Sequence, residues 1–144
     1  MIEINNLVFP KVNKKFLKKV AKTVLKNEGK KNFCLSIALI GNSRMKKLNK
    51  KYLKRNYSTD VLSFPEVESC PKSNNLGEII ICPQVVKSNA KKYNLSFKEE
   101  ISKVLIHSIL HLLGYDHEKL KKDAKLMEEK EKYYLSYFNF KSKR

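Results

Sequence analysis

Apolar and polar positions follow two different periods along the chain, and they predict four strands separated by helices. The segments "FCLSIALIG" and "LGEIIICP" are rich in β-branched apolar residues and predict two well-buried strands. The segment "TDVLSFP" predicts another strand that ends at Pro65, and a short strand is predicted before Pro10. The apolar positions of that first strand are Ile2, Ile4, Leu7 and Phe9.

Helical spacing of apolar residues predicts helices between and after these strands. An amphipathic helix is predicted from Val12 to about Asn27, with lysines between its apolar positions. A second helix runs through Met45, Leu48 and Tyr52, with Asn42 or Ser43 as its N-cap. A third is predicted over Gln84 to Tyr93, with Pro83 as its first residue. The polar segment "EVESCPKSNN" between two of the strands predicts a loop.

The segment after Ser96 predicts a helix that lies in the middle of the protein. Ser96 and Glu99 have the spacing of a capping box, and apolar residues surround most of the helix from Ile101 to Leu113. A last helix is predicted from about Leu120 to Phe138. Its inward-facing residues are predicted to be Leu126, Met127, Tyr134 and Leu135. This element order predicts an α+β fold, a small mixed four-stranded sheet covered by helices, in a single domain over residues 1–144.

Charge narrows the possible partners. The 144 residues include 31 Lys and Arg against 14 Asp and Glu, a formal net charge of +17 that favours binding to a polyanion such as nucleic acid. Abundant lysine and asparagine can also reflect an AT-rich genome, so charge alone does not establish such binding. Cys34, Cys70 and Cys82 have no paired spacing, which indicates free thiols. No segment resembles a secretion signal or a membrane span, so we expect a soluble cytoplasmic protein without a membrane partner.

All three histidines lie in "HSILHLLGYDHE", between His107 and Glu118. His107 and His111 are four residues apart and therefore share one face of a helix. Gly114 can end that helix in a left-handed conformation, so that the turn brings His117 back over the other two. Histidines of a packed core are the alternative, but three buried imidazoles would each need a separate polar partner. We therefore predict that His107, His111 and His117 bind one metal ion, with Asp116, backbone carbonyls or water as partners of the other ring nitrogens.

Three neutral nitrogen ligands favour Zn²⁺ and leave one coordination position for water, as in a catalytic site. The spacing is that of the zinc peptidases with the pattern H-E-x-x-H-x-x-G-x-x-H. In those enzymes the glutamate is the general base, and here its position is occupied by Ser108. A phosphodiester substrate therefore fits better than a peptide, and the 2′-hydroxyl of RNA offers an internal nucleophile.

Together with "LNKKYLKRNYSTDVLSFP" and "LGEIIICPQVV", the histidine segment "HSILHLLGYDH" resembles the YbeY endoribonuclease family. The resemblance implies a bacterial cytoplasmic, zinc-dependent, single-strand-specific endoribonuclease that acts in 16S rRNA 3′-end maturation and ribosome quality control. It implies one Zn²⁺ held by His107, His111 and His117, on a helix related to that of the zinc peptidases. The implied partners are single-stranded RNA, the small ribosomal subunit and assembly factors, without a small-molecule cofactor.

The sequence departs from the family at two positions. Ser108 stands where the family usually has glycine, which is a change between small residues. The family's tyrosine-arginine pair reads Tyr52-Leu53, so the arginine is absent, and Arg55 is a weak candidate to replace it. Two alternatives therefore stay open. One is a zinc-stabilised ribosome-binding or RNA-binding assembly factor with little cleavage activity, and the other is a peptidase that lacks the usual glutamate.

Overall fold

The computed structural model describes residues 1–8, 11–66, 74–115, 121–138 and 140, with the side chains of residues 121 and 122 left out. Its strands are Ile2–Asn6 (β1), Cys34–Leu39 (β2), Val61–Pro65 (β3) and Asn75–Ile81 (β4). Its helices are Lys14–Asn27 (α1), Asn42–Leu53 (α2), Pro83–Lys92 (α3), Phe97–Leu112 (α4) and Lys121–Leu135 (α5). The architecture confirms the predicted α+β class.

The four strands form one mixed sheet in the order β1-β2-β4-β3. β1 pairs in parallel with β2, β2 pairs in parallel with β4, and β3 runs antiparallel to β4 at one edge. Gly77 of β4 lies opposite Pro65 with a φ of +129°, and a Cβ there would lie 2.2 Å from the carbonyl oxygen of Phe64. This pairing therefore requires glycine at position 77.

Both faces of the sheet are covered by helices, as the uninterrupted apolar strands require. Ile79 and Ile81 of β4 belong to the larger hydrophobic cluster, which includes buried residues of α1, α3, α4 and α5. Ile80 points to the opposite face, where Met45 of α2 completes a smaller cluster. The alternation along β4 thus assigns α2 to one face of the sheet and the other helices to the opposite face.

Helix α4 lies in the centre of the larger layer, where it contacts α1, α3, α5 and the strands β3 and β4. Its start is the predicted one, because the Ser96 hydroxyl accepts a hydrogen bond of 3.0 Å from the Glu99 backbone N–H. Ile101, Leu105 and Ile109 on its inner side are buried. The prediction of a central helix is confirmed, and this helix carries the two histidines that the structure describes.

Several local predictions were wrong. The N-cap of α2 is Gly41, without a side-chain hydrogen bond, and Asn42 is already helical. Strand β1 ends at Asn6, and Leu7 beyond it is 58% exposed. Leu126 is 44% exposed although its position was predicted to face inward, whereas Met127 and Tyr134 are buried as predicted. Phe9, Pro10 and most of the predicted loop after β3 lie outside the described residues.

Two further sequence predictions concern the thiols and the membrane. Cys34 and Cys82 are free thiols, as their spacing indicated, and Cys70 lies outside the described residues. Among the described helices, none has the length and apolar character that crossing a bilayer needs.

Candidate metal centre and its cleft

His107 and His111 lie on one face of α4 near its C-terminal end, one turn apart. The side chain of His107 is 44% exposed, and His111 is exposed. Because neither ring is enclosed by the core, the alternative of packed core histidines does not describe these two. The helix presents two imidazoles side by side to solvent, as the four-residue spacing predicted.

Helix α4 ends at the predicted glycine. Gly114 has a φ of +105°, its N–H donates to the His111 carbonyl at 3.0 Å, and the Tyr115 N–H donates to the Leu110 carbonyl at 3.1 Å. These two bonds form a Schellman motif, which satisfies the last carbonyls of the helix while the chain turns away. His117 and Asp116, which were predicted to complete the site, lie outside the described residues.

A carboxylate from a different helix contacts the first histidine. His107 Nδ1 and Glu131 Oε2 of α5 are 2.5 Å apart, and the Glu131 side chain is 20% exposed. A histidine that binds a metal through one ring nitrogen commonly donates the other N–H to a carboxylate. The contact is made by Nδ1 of His107, so Nε2 is the ring nitrogen that would bind a metal. The two described histidines therefore fit a zinc site of nitrogen ligands.

Within the described part of the chain, no three histidine, cysteine or acidic side chains converge as a complete metal cluster. The two histidines predicted as ligands and the carboxylate that contacts one of them lie there, and the predicted third ligand falls in the segment that is not described. The residues that could hold the ion are therefore His107, His111 and, by prediction, His117.

Ser108 points away from this face. It is 1% exposed, and its hydroxyl donates to the Val104 carbonyl within α4 at 2.8 Å. A neutral serine hydroxyl is too weak a base to take a proton at neutral pH from a group bound at the histidines. The position of the peptidase glutamate is therefore chemically inactive in this chain.

His107 lies in the wall of an open cleft of about 610 Å³ between α4, α5 and the edge strand β3. Its described lining includes Val61 of β3 and Val104 of α4. The acidic lining residues are Asp60, Glu99, Glu100, Glu128 and Glu131. The described lining has two lysines, Lys103 and Lys132, against these five acidic residues, a formal charge of −3 with histidine counted as neutral. The cleft is thus acidic in a chain whose net charge is +17.

Glu100 is the most buried of these carboxylates, at 6% exposure, and its Oε1 has no hydrogen-bond partner among the described residues. Burial raises the pKa of Glu100; the positive charge of Lys103 opposes this, while Asp60 and Glu99 add to it. Glu100 precedes His107 by two helical turns and therefore lines the same side of α4.

A second buried carboxylate, Glu28, connects the turn at Gly114 to helix α5 through hydrogen bonds. The side chain of Glu28 is 7% exposed and accepts hydrogen bonds from Tyr115 at 2.7 Å, from Lys130 at 2.9 Å and from Tyr134. Burial by itself would raise the pKa of Glu28, but the bonds from Lys130, Tyr134 and Tyr115 together lower it below its ordinary value. Burial and the Glu28 carboxylate raise the pKa of both tyrosines, so their hydroxyls stay protonated and donate.

Sequence reasoning missed Glu28 and Glu131. Each acts on a residue far along the chain: Glu131 is 24 residues from His107, and Glu28 is 102 residues from Lys130. Nothing in the local pattern distinguishes them from the other acidic residues of the chain. Glu131 meets His107 because α5 packs against α4, and Glu28 meets Lys130 because α5 also approaches the end of α1.

Arg55, the weak candidate for catalysis, follows α2 and is exposed. It is not among the described residues that line the His107 cleft. Tyr52 and Leu53, which occupy the family's tyrosine-arginine positions, are 53% and 49% exposed. The Tyr52 ring packs edge-on against Phe64 of β3, with the ring centres 5.1 Å apart. The structure therefore brings Tyr52 into contact with the edge strand.

Comparisons with known proteins agree on one family. The model of the family "Endoribonuclease YbeY" matches residues 3–139. An endoribonuclease YbeY of Thermodesulfovibrio yellowstonii is 46% identical over 120 residues, which cover 83% of this chain and 74% of the relative. Another, of a Sulfurihydrogenibium species, is 41% identical over 128 residues, covering 88% of this chain and 84% of the relative.

The solution structure of TM1509 from Thermotoga maritima has a similar fold. It aligns with a TM-score of 0.69 at 33% identity, and the alignment covers 100% of both chains. Sequence and fold thus lead to the same assignment: this chain belongs to the YbeY endoribonuclease family.

Proposed function

We propose that this protein is a zinc-dependent endoribonuclease that cleaves single-stranded RNA and acts in 16S rRNA 3′-end maturation and ribosome quality control. The observation that carries the proposal is the pair His107 and His111 on one face of α4, beside a cleft, in a chain of the YbeY family. The cytoplasm, the small ribosomal subunit and its assembly factors belong to the same proposal as setting and partners.

His107 and His111 are the described residues that would hold the ion, with His117 as the third ligand. Bound zinc supplies a Lewis acid and a water of lowered pKa. Glu131 contacts Nδ1 of His107, so zinc would be bound through Nε2 of that ring. Glu28 accepts a hydrogen bond from Tyr115, immediately after the turn at Gly114, and thereby anchors the chain just beyond that turn.

A peptidase function is disfavoured because Ser108 stands where those enzymes have a glutamate. The residue after the first histidine is neither acidic nor directed at the cleft, because its hydroxyl is bonded to Val104. Cleavage of RNA depends less on a protein base at position 108, because the 2′-hydroxyl of the substrate can itself act as the nucleophile.

Cleavage of a labelled unstructured RNA tests the proposal. We expect the zinc-loaded protein to cut the single strand and to leave both the same sequence in a duplex and a DNA strand intact. Chelation of the metal should abolish the activity and added zinc should restore it. The variant His111→Ala should stay inactive with zinc present.

Two results decide between the alternatives. Salt-sensitive binding of the RNA without cleavage, in a protein that contains zinc, would support the assembly-factor alternative that Leu53 suggests. Cleavage that persists in both the chelated protein and His111→Ala would contradict a role of this metal site in the reaction.

A further inference from the structure

We propose that Glu131 is a positioning residue that fixes the ring orientation and tautomer of His107 for metal binding. The proposal rests on the proposed function insofar as that function places a metal at His107. It adds a residue of α5 that neither the histidine pattern nor the family match assigns.

The distance and the chemistry of imidazole support this role. Glu131 Oε2 lies 2.5 Å from His107 Nδ1, which is close enough for a direct hydrogen bond. A carboxylate can only accept here, so Nδ1 must carry the proton. In a neutral ring the lone pair is then on Nε2, which is the form that binds a metal through Nε2.

The backbone that carries Glu131 is held on both sides along α5. Its neighbour Lys130 is bound to Glu28, and Tyr134 is buried and bound to the same carboxylate. Met127, one turn earlier, is buried in the main cluster. Because α5 is fixed at these points, Glu131 can hold His107 in one orientation rather than follow its motion.

The same geometry separates Glu131 from a general base. Its carboxylate lies at Nδ1, and the two ring nitrogens point in different directions from the imidazole. A group bound at Nε2 is therefore beyond the ring from Glu131. The residue acts on the site through His107 and does not take the place of the glutamate that is absent at Ser108.

Zinc affinity, measured by competition with a chromophoric chelator, tests the role. We expect Glu131→Ala to weaken zinc binding about 10–100-fold. Glu131→Gln, whose amide oxygen can still accept from Nδ1, should lose less zinc affinity.

Glu128→Gln is the matched control, because Glu128 lines the same cleft on the same helix but forms an ion pair with Lys132. It should bind zinc as the wild type does. Equal affinities of wild type and Glu131→Ala, or an equal loss in Glu128→Gln, would overturn the proposal.

A measurement without metal distinguishes this proposal from the function on which it rests. In ¹⁵N spectra of the metal-free protein at pH 8, the His107 resonances are identified by their absence in His107→Ala. We expect the wild-type ring to carry its proton on Nδ1 and the ring in Glu131→Ala to shift toward the Nε2–H form. A wild-type protein that binds no zinc overturns the metal function, and these spectra still decide the role of Glu131. An unchanged tautomer in Glu131→Ala contradicts that role.

Discussion

At the scale of single residues, the Glu28 side chain connects three separate segments of the chain through hydrogen bonds. Its carboxylate accepts hydrogen bonds from Tyr115, which follows the turn at Gly114, and from Lys130 and Tyr134 of α5. A buried charge with three donors is stabilised in its ionised form, which agrees with the lowered pKa of Glu28.

Glu28→Gln should lower the free energy of unfolding by about 1–3 kcal/mol at neutral pH, because three hydrogen bonds lose their charged acceptor. The folded pKa lies below the ordinary value of 4.5, so the stabilisation is complete above that pH. It is lost as the pH falls through the folded value. Chemical denaturation of both proteins from pH 7 to pH 3 should show the difference shrinking toward acid. A difference that is constant over this range would contradict the ionised network.

Glu100 should show the opposite dependence. Its pKa is raised in the folded protein, so its ionisation opposes folding increasingly as the pH rises above its ordinary value of 4.5. We expect Glu100→Gln to be more stable than the wild type at pH 8, with the gain fading toward pH 4. Thermal unfolding at these two pH values tests this. A loss of stability at pH 8 would show that the ionised carboxylate has a stabilising partner.

At the scale of elements, the helix that carries His107 and His111 ends in a turn that depends on Gly114. Gly114 has a positive φ, and a Cβ at this position would have no heavy atom within 4 Å. Glycine is therefore required at position 114 because of its backbone conformation and not because a side chain would collide with neighbouring atoms. Gly114→Ala should destabilise the protein by about 1–2 kcal/mol.

Two comparisons check this prediction. Gly114→Asn should lose less stability than the alanine variant, since asparagine tolerates positive φ better. Zinc affinity should fall in the alanine variant, because the turn at Gly114 leads toward His117. Equal stability of the wild type and Gly114→Ala would show that the turn relaxes to another conformation at no cost.

Much of this architecture was predictable because its signals are local. Apolar periodicity placed all nine elements, Ser96 marked the start of α4, and Gly114 marked its end. Where two local signals compete, the sequence was misleading. Asn42 and Gly41 are both acceptable N-caps, and the structure uses the glycine.

The rest of the site depends on contacts that no local pattern contains. The cleft forms where α5 packs beside α4, which brings Glu131 to His107, whereas Glu28 at the end of α1 meets Lys130 where α5 passes that end. The inward face of α5 was also only partly predictable. Leu126 has the same helical spacing as the buried residues but remains exposed, because apolar character does not show which side a neighbouring helix covers.

At the scale of the whole molecule, the charge is unevenly distributed. The described lining of the cleft is acidic, whereas exposed lysines such as Lys47 and Lys51 lie on α2. Helix α2 reaches the edge strand through the contact between Tyr52 and Phe64, and Val61 of the same strand lines the cleft. We expect α2, on the opposite face of the sheet, to bind RNA phosphates across the β3 edge from the cleft, while the cleft itself contributes little to electrostatic attraction.

The salt dependence of RNA binding tests this distribution. Replacing Lys47 and Lys51 with alanine should weaken binding of a single strand and reduce the slope of log K against log salt by about 1.4, which is about 0.7 for each phosphate contact. The matched control replaces Lys18 and Lys22, which are exposed on α1 at the opposite side of the sheet. An equal reduction in both double variants would indicate attraction by the net charge alone.

The metal content of the protein tests the central claim of the account most directly. Elemental analysis after purification without chelators should find about one equivalent of zinc per chain in the wild type and a strongly reduced amount in His111→Ala. Less than about half an equivalent of any transition metal in the wild type, or equal zinc in both proteins, would contradict a metal centre at the end of α4.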